Sequence, residues 1–273
     1  MNPLYIILII IIAVLFLIGV WALIEPHILD MTKISLPAGG EAEQPSLRIF
    51  FFSDVHGEFC FISPSRVCSE IDKAKTEGGL DAVVFGGDIS TRKMFGGAGA
   101  KYLAKIAAHC KEAGIPFYGV LGNHDAGMSR DIIDSCGFKD IGGKCVVIES
   151  ISGKKVALAG VTDSGRKHRQ WYQLPETPEG LPVVCVVHDP DALIHFENKP
   201  ACAVCGHFHG GQVKMPFHLE FVLLRHDTLP RQGIIEGVHE VNGIPVFISR
   251  GIGCGALPVR LMSKPEASVV EIK

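Results

Sequence analysis

The sequence lacks a basic surplus. Lys and Arg number 26 against 29 Asp and Glu, a formal charge of −3 with a pI near 6.4. A protein that grips nucleic acid by neutralising phosphates needs such a surplus, so no nucleic-acid partner is expected. Charge is missing altogether from Met1 to Ile24. With no Lys or Arg ahead of this stretch and no A-x-A-like site behind it, a cleaved export signal is the weaker alternative. Internal repeats and low-complexity blocks are absent, which excludes fibrous and disordered classes. The nine cysteines are odd in number and irregularly spaced, so they form no small-scaffold disulfide framework and suit a reducing compartment.

What stands in the uncharged stretch is apolar: 20 of the 21 residues from Leu4 to Ile24 are hydrophobic, Gly19 being the exception. That is the length a helix needs to cross a bilayer, and residues 1–24 are expected to form a single-pass membrane anchor. Its flanks say little about orientation, since only Lys33 lies close by. The free α-amino group tips the balance towards a catalytic body outside the cytoplasm, and the cysteines pull the other way. Residues 25–46, with Pro26, Pro37, Gly39, Gly40 and Pro45, are expected to be a juxtamembrane linker.

From Leu47 to Lys273, apolar runs of strand length alternate with helical stretches, the signature of a layered α/β domain. Strands are expected at Leu47–Ser53, Leu80–Gly86, Pro116–Leu121, Pro182–Val187, Ala201–Cys205, Ile244–Ser249 and Ala267–Ile272, with a hairpin over Lys144–Glu149 and Lys155–Val161. Helices are expected from Pro64 to Glu77, Lys101 to Ala113 and Arg130 to Cys136. Five of the strands end on a polar side chain able to hold a metal: Asp54, Asp88, Asn123, His188 and His207. Ligands of layered α/β folds gather at the carboxyl edge of the sheet, which makes these five candidates for one shared site.

The blocks around them read Asp54-Val55-His56, Gly87-Asp88, Gly122-Asn123-His124-Asp125, His188, and Gly206-His207-Phe208-His209. Side chains two apart on an extended segment point the same way, so D-x-H and H-x-H each offer paired donors. Imidazole mixed with carboxylate suits Mn, Fe, Zn or Ni rather than an all-oxygen calcium cage. Seven candidate ligands exceed one tetrahedral ion and suit two ions about 3.5–4 Å apart sharing a carboxylate and a water. Such a pair generates hydroxide near neutral pH and clamps phosphoryl oxygens.

The order and identity of these blocks resemble the calcineurin-like metallophosphoesterase superfamily, and most of all its bacterial membrane-anchored phosphohydrolases. The resemblance covers residues 47–273 and extends through GHFHGGQVKMPF and ISRGIGCGALPVRL. It implies a four-layer αββα sandwich of two mixed sheets flanked by helices. It also implies two divalent transition-metal ions, Mn, Fe or Zn. Asp54, His56 and His209 would hold the first, Asn123, His188 and His207 the second, and Asp88 would lie between them. His124 would be the proton donor or phosphate stabiliser, oriented by Asp125. The G-D-x-V-D-R-G block of phosphoprotein phosphatases is absent, Gly87-Asp88-Ile89-Ser90-Thr91-Arg92 standing in its place.

Outside the ligand blocks, Arg92 and the cluster holding Arg166 and Arg169 are candidates for gripping substrate phosphate. Gly251, Gly253 and Gly255 read as a tight loop near the metals, not a dinucleotide fingerprint. Cys202 and Cys205 fit a strand whose i and i+3 side chains face opposite ways better than a structural zinc site. The stretch 213–242, with Arg225, His226 and Arg231, reads as a lid or a membrane-facing rim. The functional expectation is a membrane-tethered phosphohydrolase of a phosphodiester or phosphomonoester, lipid-linked or from the cell envelope. A cyclic-nucleotide phosphodiesterase or nuclease, and a metal-binding scaffold without turnover, are the alternatives.

Overall fold

A computed structural model describes residues 2–37, 46–163, 172–225 and 227–273. The first strongly apolar run forms α1 (Pro3–Ile24), its start capped by the Asn2 side chain accepting from the Leu4 amide, with no residue of the helix buried. Apolar side chains cover it on all sides, so it has no polar face to turn to water. It is long and apolar enough to span a membrane.

Of the residues expected to be a linker, those from Glu25 to Leu36 instead form regular structure joined to the sheet. Glu25–His27 form a 3-10 turn, and β1 (Asp30–Leu36) lies parallel to the last strand, β12 (Glu266–Ile272), in register from Asp30 opposite Glu266 to Leu36 opposite Ile272. Pro26 and Pro37 bracket these elements, at a turn start and just past a strand end, where a missing N–H does no harm. β1 escapes a periodicity search because it is an edge strand with only Leu36 fully covered. β1 therefore adds an edge strand to this sheet ahead of Leu47.

Two six-stranded mixed sheets follow. One runs β1–β12–β2 (Leu47–Phe52)–β3 (Ala82–Phe85)–β4 (Phe117–Gly119)–β5 (Lys139–Asp140). The other runs β10 (Gly237–Val241)–β11 (Ile244–Ile248)–β9 (Cys202–Cys205)–β8 (Val183–Val187)–β7 (Lys155–Val161)–β6 (Cys145–Glu149). β2, LRIFFF, is buried along its whole length, as a central strand covered on both faces must be. Its Ile49 and Phe51 face the second sheet, with Phe51 edge-on to Phe247 at 6.2 Å, while Phe50 and Phe52 face the helices. β10 and β11 form a hairpin turning at Asn242-Gly243, both at positive φ, so the last residues of the stretch expected to be a lid or rim form a strand of the second sheet.

α2 (Pro64–Gly78), α3 (Gly96–Ala113) and α4 (Arg130–Ser135) cover the first sheet. α2 is capped by Ser63 and buries Val67, Ile71 and Ala74 at helical spacing. α3 begins five residues earlier than its Ala- and Lys-rich stretch predicts. A Cβ at Gly99 would lie 2.1 Å from the Ile89 carbonyl oxygen, so this glycine-bearing first turn is needed where the helix presses on the loop after β3. The second sheet is covered by 3-10 turns and the short α5 (Leu219–Leu224). The result is a four-layer αββα sandwich, and Cys202 and Cys205 face opposite layers of it.

Candidate metal centre

β2, β3 and β4 run parallel, as do β7, β8, β9 and β11, and both sets end at one edge. The backbone continues the pairing past the strands: the Asp54 amide donates to Gly87 O at 2.8 Å and the Gly206 amide to His188 O at 3.0 Å. The loops of the two sheets then meet where the His207 amide donates to the Asp54 carboxylate, 3.1 Å from Oδ2.

Five candidate ligands hold left-handed backbone: Asp54, His56, Asp88, His207 and His209, with φ between 41° and 74°. This region costs a non-glycine residue about 1–2 kcal/mol, and such strain clusters at functional sites. Neighbouring glycines leave room for the carboxylates. A Cβ at Gly122 would sit 2.2 Å from Asp88 Oδ1, and one at Gly206 2.4 Å from Asp54 Oδ2.

Two groups of ligand atoms result. Asp54, His56 and His209 form one, and Asp88, His188 and His207 the other, all buried. Asp88 Oδ2 lies 3.2 Å from His188 Nε2 in its own group and 3.6 Å from His56 Nε2 in the other, placing this carboxylate between them. Asn123 follows Gly122 on the same turn. Its Oδ1 is buried and has no hydrogen-bond partner among the described residues.

The hydrogen bonds around the rings fix which nitrogens face inward. His188 Nδ1 lies 2.8 Å from the Gly86 carbonyl oxygen, which can only accept, so Nδ1 carries a proton and Nε2 is the atom turned towards Asp88. The Thr91 hydroxyl donates to Gly255 O at 3.1 Å, so its oxygen accepts from His56 Nδ1 at 3.1 Å, leaving His56 Nε2 bare. That bare nitrogen faces His209 Nε2 at 3.1 Å, and His188 Nε2 faces His207 Nδ1 at 3.2 Å. Ring nitrogens of four histidines thus converge on one another and on the Asp54 and Asp88 carboxylates. Together with the orphaned Asn123 oxygen, this donor set fits two divalent ions.

The titration behaviour points the same way. Burial pushes His56 down to about 3 and holds His207 and His209 well below the usual histidine range, aided for His207 by the Arg225 guanidinium and for His209 by His56. These rings are thus neutral, as metal ligands must be. His188 is the exception: burial acts to lower it, but the Asp88 carboxylate overrides burial and raises it well above its ordinary value. Asp88 is held well below the carboxylate range by the same pairing, against its own burial.

His124 is half-buried, its amide donating to Asp88 Oδ1 at 2.9 Å and its Nδ1–H to the Thr91 carbonyl at 2.9 Å, with the ring edge-on to His56. Asp125 does not orient it. The Asp125 carboxylate accepts instead from the amides of Gly122, Asp88 and Ile89, at 2.9, 3.0 and 2.8 Å, tying the β3 and β4 turns together. Burial and the Asp88 charge raise it to about 7 against the pull of these amides. Arg92 is exposed, its amide bonded to Glu58. Arg166 and Arg169 lie outside the described residues.

Three participants were not singled out by motif. Thr91 orients both His56 and His124 from one residue. Arg225 lies 2.7 Å from His207 Nε2, pairs with Asp227 at 2.5 Å and rests over the Phe208 and Phe221 rings; its position in the suspected lid was the only sequence signal. Arg260, fully buried, donates to the carbonyls of His209, Arg250, Gly251 and Gly253, so its charge clamps the glycine loop against the first group. That loop is as close as expected: a Cβ at Gly251 would meet Asp54 Cβ at 2.6 Å.

Comparison with known proteins agrees with this geometry. A family model described as calcineurin-like phosphoesterase matches residues 47–211. The chain is 24% identical over 268 residues to the metallophosphoesterase YkuE of Bacillus subtilis strain 168, covering 92% of this chain and 87% of the relative. It is 26% identical over 248 residues to YkoQ of the same organism, covering 88% and 87%. It is 23% identical over 235 residues to the phosphodiesterase YaeI of Escherichia coli strain K12, covering 82% of each.

Proposed function

The chain belongs to the calcineurin-like phosphoesterase family, and on that premise we propose that it is a membrane-tethered, two-metal hydrolase of a phosphodiester carried on a lipid or another envelope component. The observation that carries the two-metal reading is Asp88 Oδ2 standing between two buried Asp/His groups. When bound, two divalent ions supply an activated water and neutralise phosphoryl oxygens.

The protein's own residues do the rest. Asp54, His56 and His209 would hold one ion and Asn123, His188 and His207 the other, with Asp88 available to both. Thr91, through its hydroxyl and its carbonyl, keeps His56 Nε2 and His124 Nε2 aimed inward. His124, protonated at Nε2, donates to the leaving oxygen and returns to the neutral tautomer that the Thr91 carbonyl already selects. Asp125 keeps the Asp88 and Asn123 turns in register.

α1 serves as a single-pass anchor with the domain outside the cytoplasm, which protease accessibility in intact cells tests. The chemical test is hydrolysis of bis-p-nitrophenyl phosphate with Mn²⁺. Asp88→Asn and His207→Ala are each expected to lower turnover roughly a hundredfold or more, in line with the ~3 kcal/mol or more lost when one partner of a buried pair is removed. Wild-type turnover in both variants would refute the mechanism.

A further inference from the structure

β1 pairs in parallel with β12, and β12 pairs antiparallel with β2. β1 therefore runs opposite to β2, and its first residue, Asp30, lies at the edge where β2, β3 and β4 end. α1 enters β1 through the Glu25–His27 turn, so the apolar helix joins the domain at the same edge as the metal groups.

The junction is rigidly made. The buried Glu25 carboxylate accepts from the amides of Met262 and Ser263, at 3.0 and 2.5 Å, and from Trp21 Nε1 at 2.8 Å. The Arg260 amide donates to Ala22 O at 3.0 Å. Arg260 is the residue whose guanidinium clamps the glycine loop beside Asp54 and His209. One residue thus connects the end of α1 to the first ligand group.

Around this junction the domain leaves large apolar side chains in water. Leu257 and Met262 are 62% and 71% exposed in the loop after β11, and Phe217 is 91% exposed in the loop after β9. The two loops are joined, Lys214 N donating to Leu261 O at 3.0 Å. Phe61, after β2, packs with its ring tilted against His27 at the foot of α1. Nothing inside the domain requires these exposures, and an apolar patch continuous with a membrane-spanning helix has an obvious solvent.

We infer that the carboxyl edge docks on the bilayer from which α1 emerges, with Phe217, Leu257 and Met262 entering the headgroup–acyl boundary and the metal groups opening onto that leaflet. The substrate class that follows is a phosphodiester in a lipid headgroup, taken without leaving the membrane. The inference rests on α1 spanning the bilayer and, for the substrate, on the phosphodiesterase reading above.

The test uses the full chain, loaded with Mn²⁺ in phosphatidylcholine vesicles containing a diazirine-bearing phosphatidylcholine. After irradiation, adducts are expected on the segments holding Phe217, Leu257 and Met262, at least tenfold above those on the β6–β7 hairpin, whose exposed Ile151 stands at the opposite edge. Adducts confined to α1, or equal at Ile151, overturn the docking. In the same vesicles, Phe217→Ser/Met262→Ser is expected to cleave soluble bis-p-nitrophenyl phosphate within twofold of wild type. Its release of p-nitrophenol from vesicle-borne phosphatidyl-p-nitrophenol should fall fivefold or more. Equal rates on the vesicle-borne ester, or no cleavage of it by a wild type that cleaves the soluble one, overturn the inference. A wild type that cleaves neither sinks the phosphodiesterase reading instead, while the adduct pattern still decides the docking.

Discussion

Thr91→Val is the substitution that most sharply separates an oriented metal site from a mere cluster of ligands. Valine keeps the shape and the backbone carbonyl that receives His124 Nδ1–H, and removes only the hydroxyl. Two hydrogen bonds vanish, one from His56 Nδ1 and one to Gly255 O, each 3.1 Å long. Each was worth about 0.5–1.5 kcal/mol net, and the groups left unpaired add about 1–3 kcal/mol of desolvation. With its tautomer no longer held, His56 presents a lone pair at Nε2 only part of the time. Removing such an outer partner typically costs 10–100-fold in metal affinity. The loss should be one-sided, because His56 belongs to the group with Asp54 and His209 and not to the group with His188 and His207. Mn²⁺ titration by calorimetry should therefore show one step weakened about 10–100-fold and the other within a few-fold of wild type, with Thr91→Ser restoring both. Equal weakening of both steps, or none, would refute the tautomer argument.

Gly122→Ala places a Cβ 2.2 Å from Asp88 Oδ1, so it should lower turnover on bis-p-nitrophenyl phosphate by around a hundredfold while the far-ultraviolet dichroism stays native. Chelation with EDTA should lower the melting temperature of the full chain in detergent by roughly 10 °C per ion released. An ion present at a thousand times its Kd contributes about 4 kcal/mol, and a domain of this size shifts about 2–4 °C per kcal/mol. His56 supplies a signed pH dependence in the chelated protein. Burial holds it at about 3 in the fold, whereas the unfolded chain protonates it near 6.5, so the unfolded state binds more protons between those values. Its contribution to stability is intact above about 6.5 and falls as the pH drops towards 3, and His56→Gln should flatten that part of the denaturant-midpoint profile. A profile unchanged by the substitution would contradict the buried, neutral ring.

The ligand blocks were legible because each rests on a local rule. A strand that ends on Asp, Asn or His delivers that side chain to the sheet edge, and parallel strands share their edge. Elements with a strong periodic face, such as α2 and β2, were legible for the same reason. β1 was not: its strand pairing among the described residues is to β12, more than 200 residues away, and its exposed face carries Lys33 and Ser35 like any polar connector. α3 began early because the packing of Gly99 on Ile89 overrides the low helix propensity of its first turn, a tertiary effect no window of sequence contains.

Asp125 and Thr91 exchange roles for a reason that generalises within this site. Adjacency to His124 suggested that Asp125 orients it, yet in the tight turn after β4 the Asp125 carboxylate swings under the Asp88 loop to three amides. The task falls to Thr91, 33 residues earlier and three past Asp88, because the β3 loop passes directly over both rings. A buried ring needs an acceptor for its outward N–H, and whichever loop crosses it supplies one; the neighbour in sequence has no priority. The same logic makes Arg260 a structural tie and not a phosphate contact. Its guanidinium is fully buried, and its terminal nitrogens donate to the carbonyls of Arg250, Gly251 and Gly253. Arg225 differs: its side chain is one-fifth exposed, lies across the rings of Phe208 and Phe221, and holds His207 from outside, at the point where the suspected lid meets the metal groups.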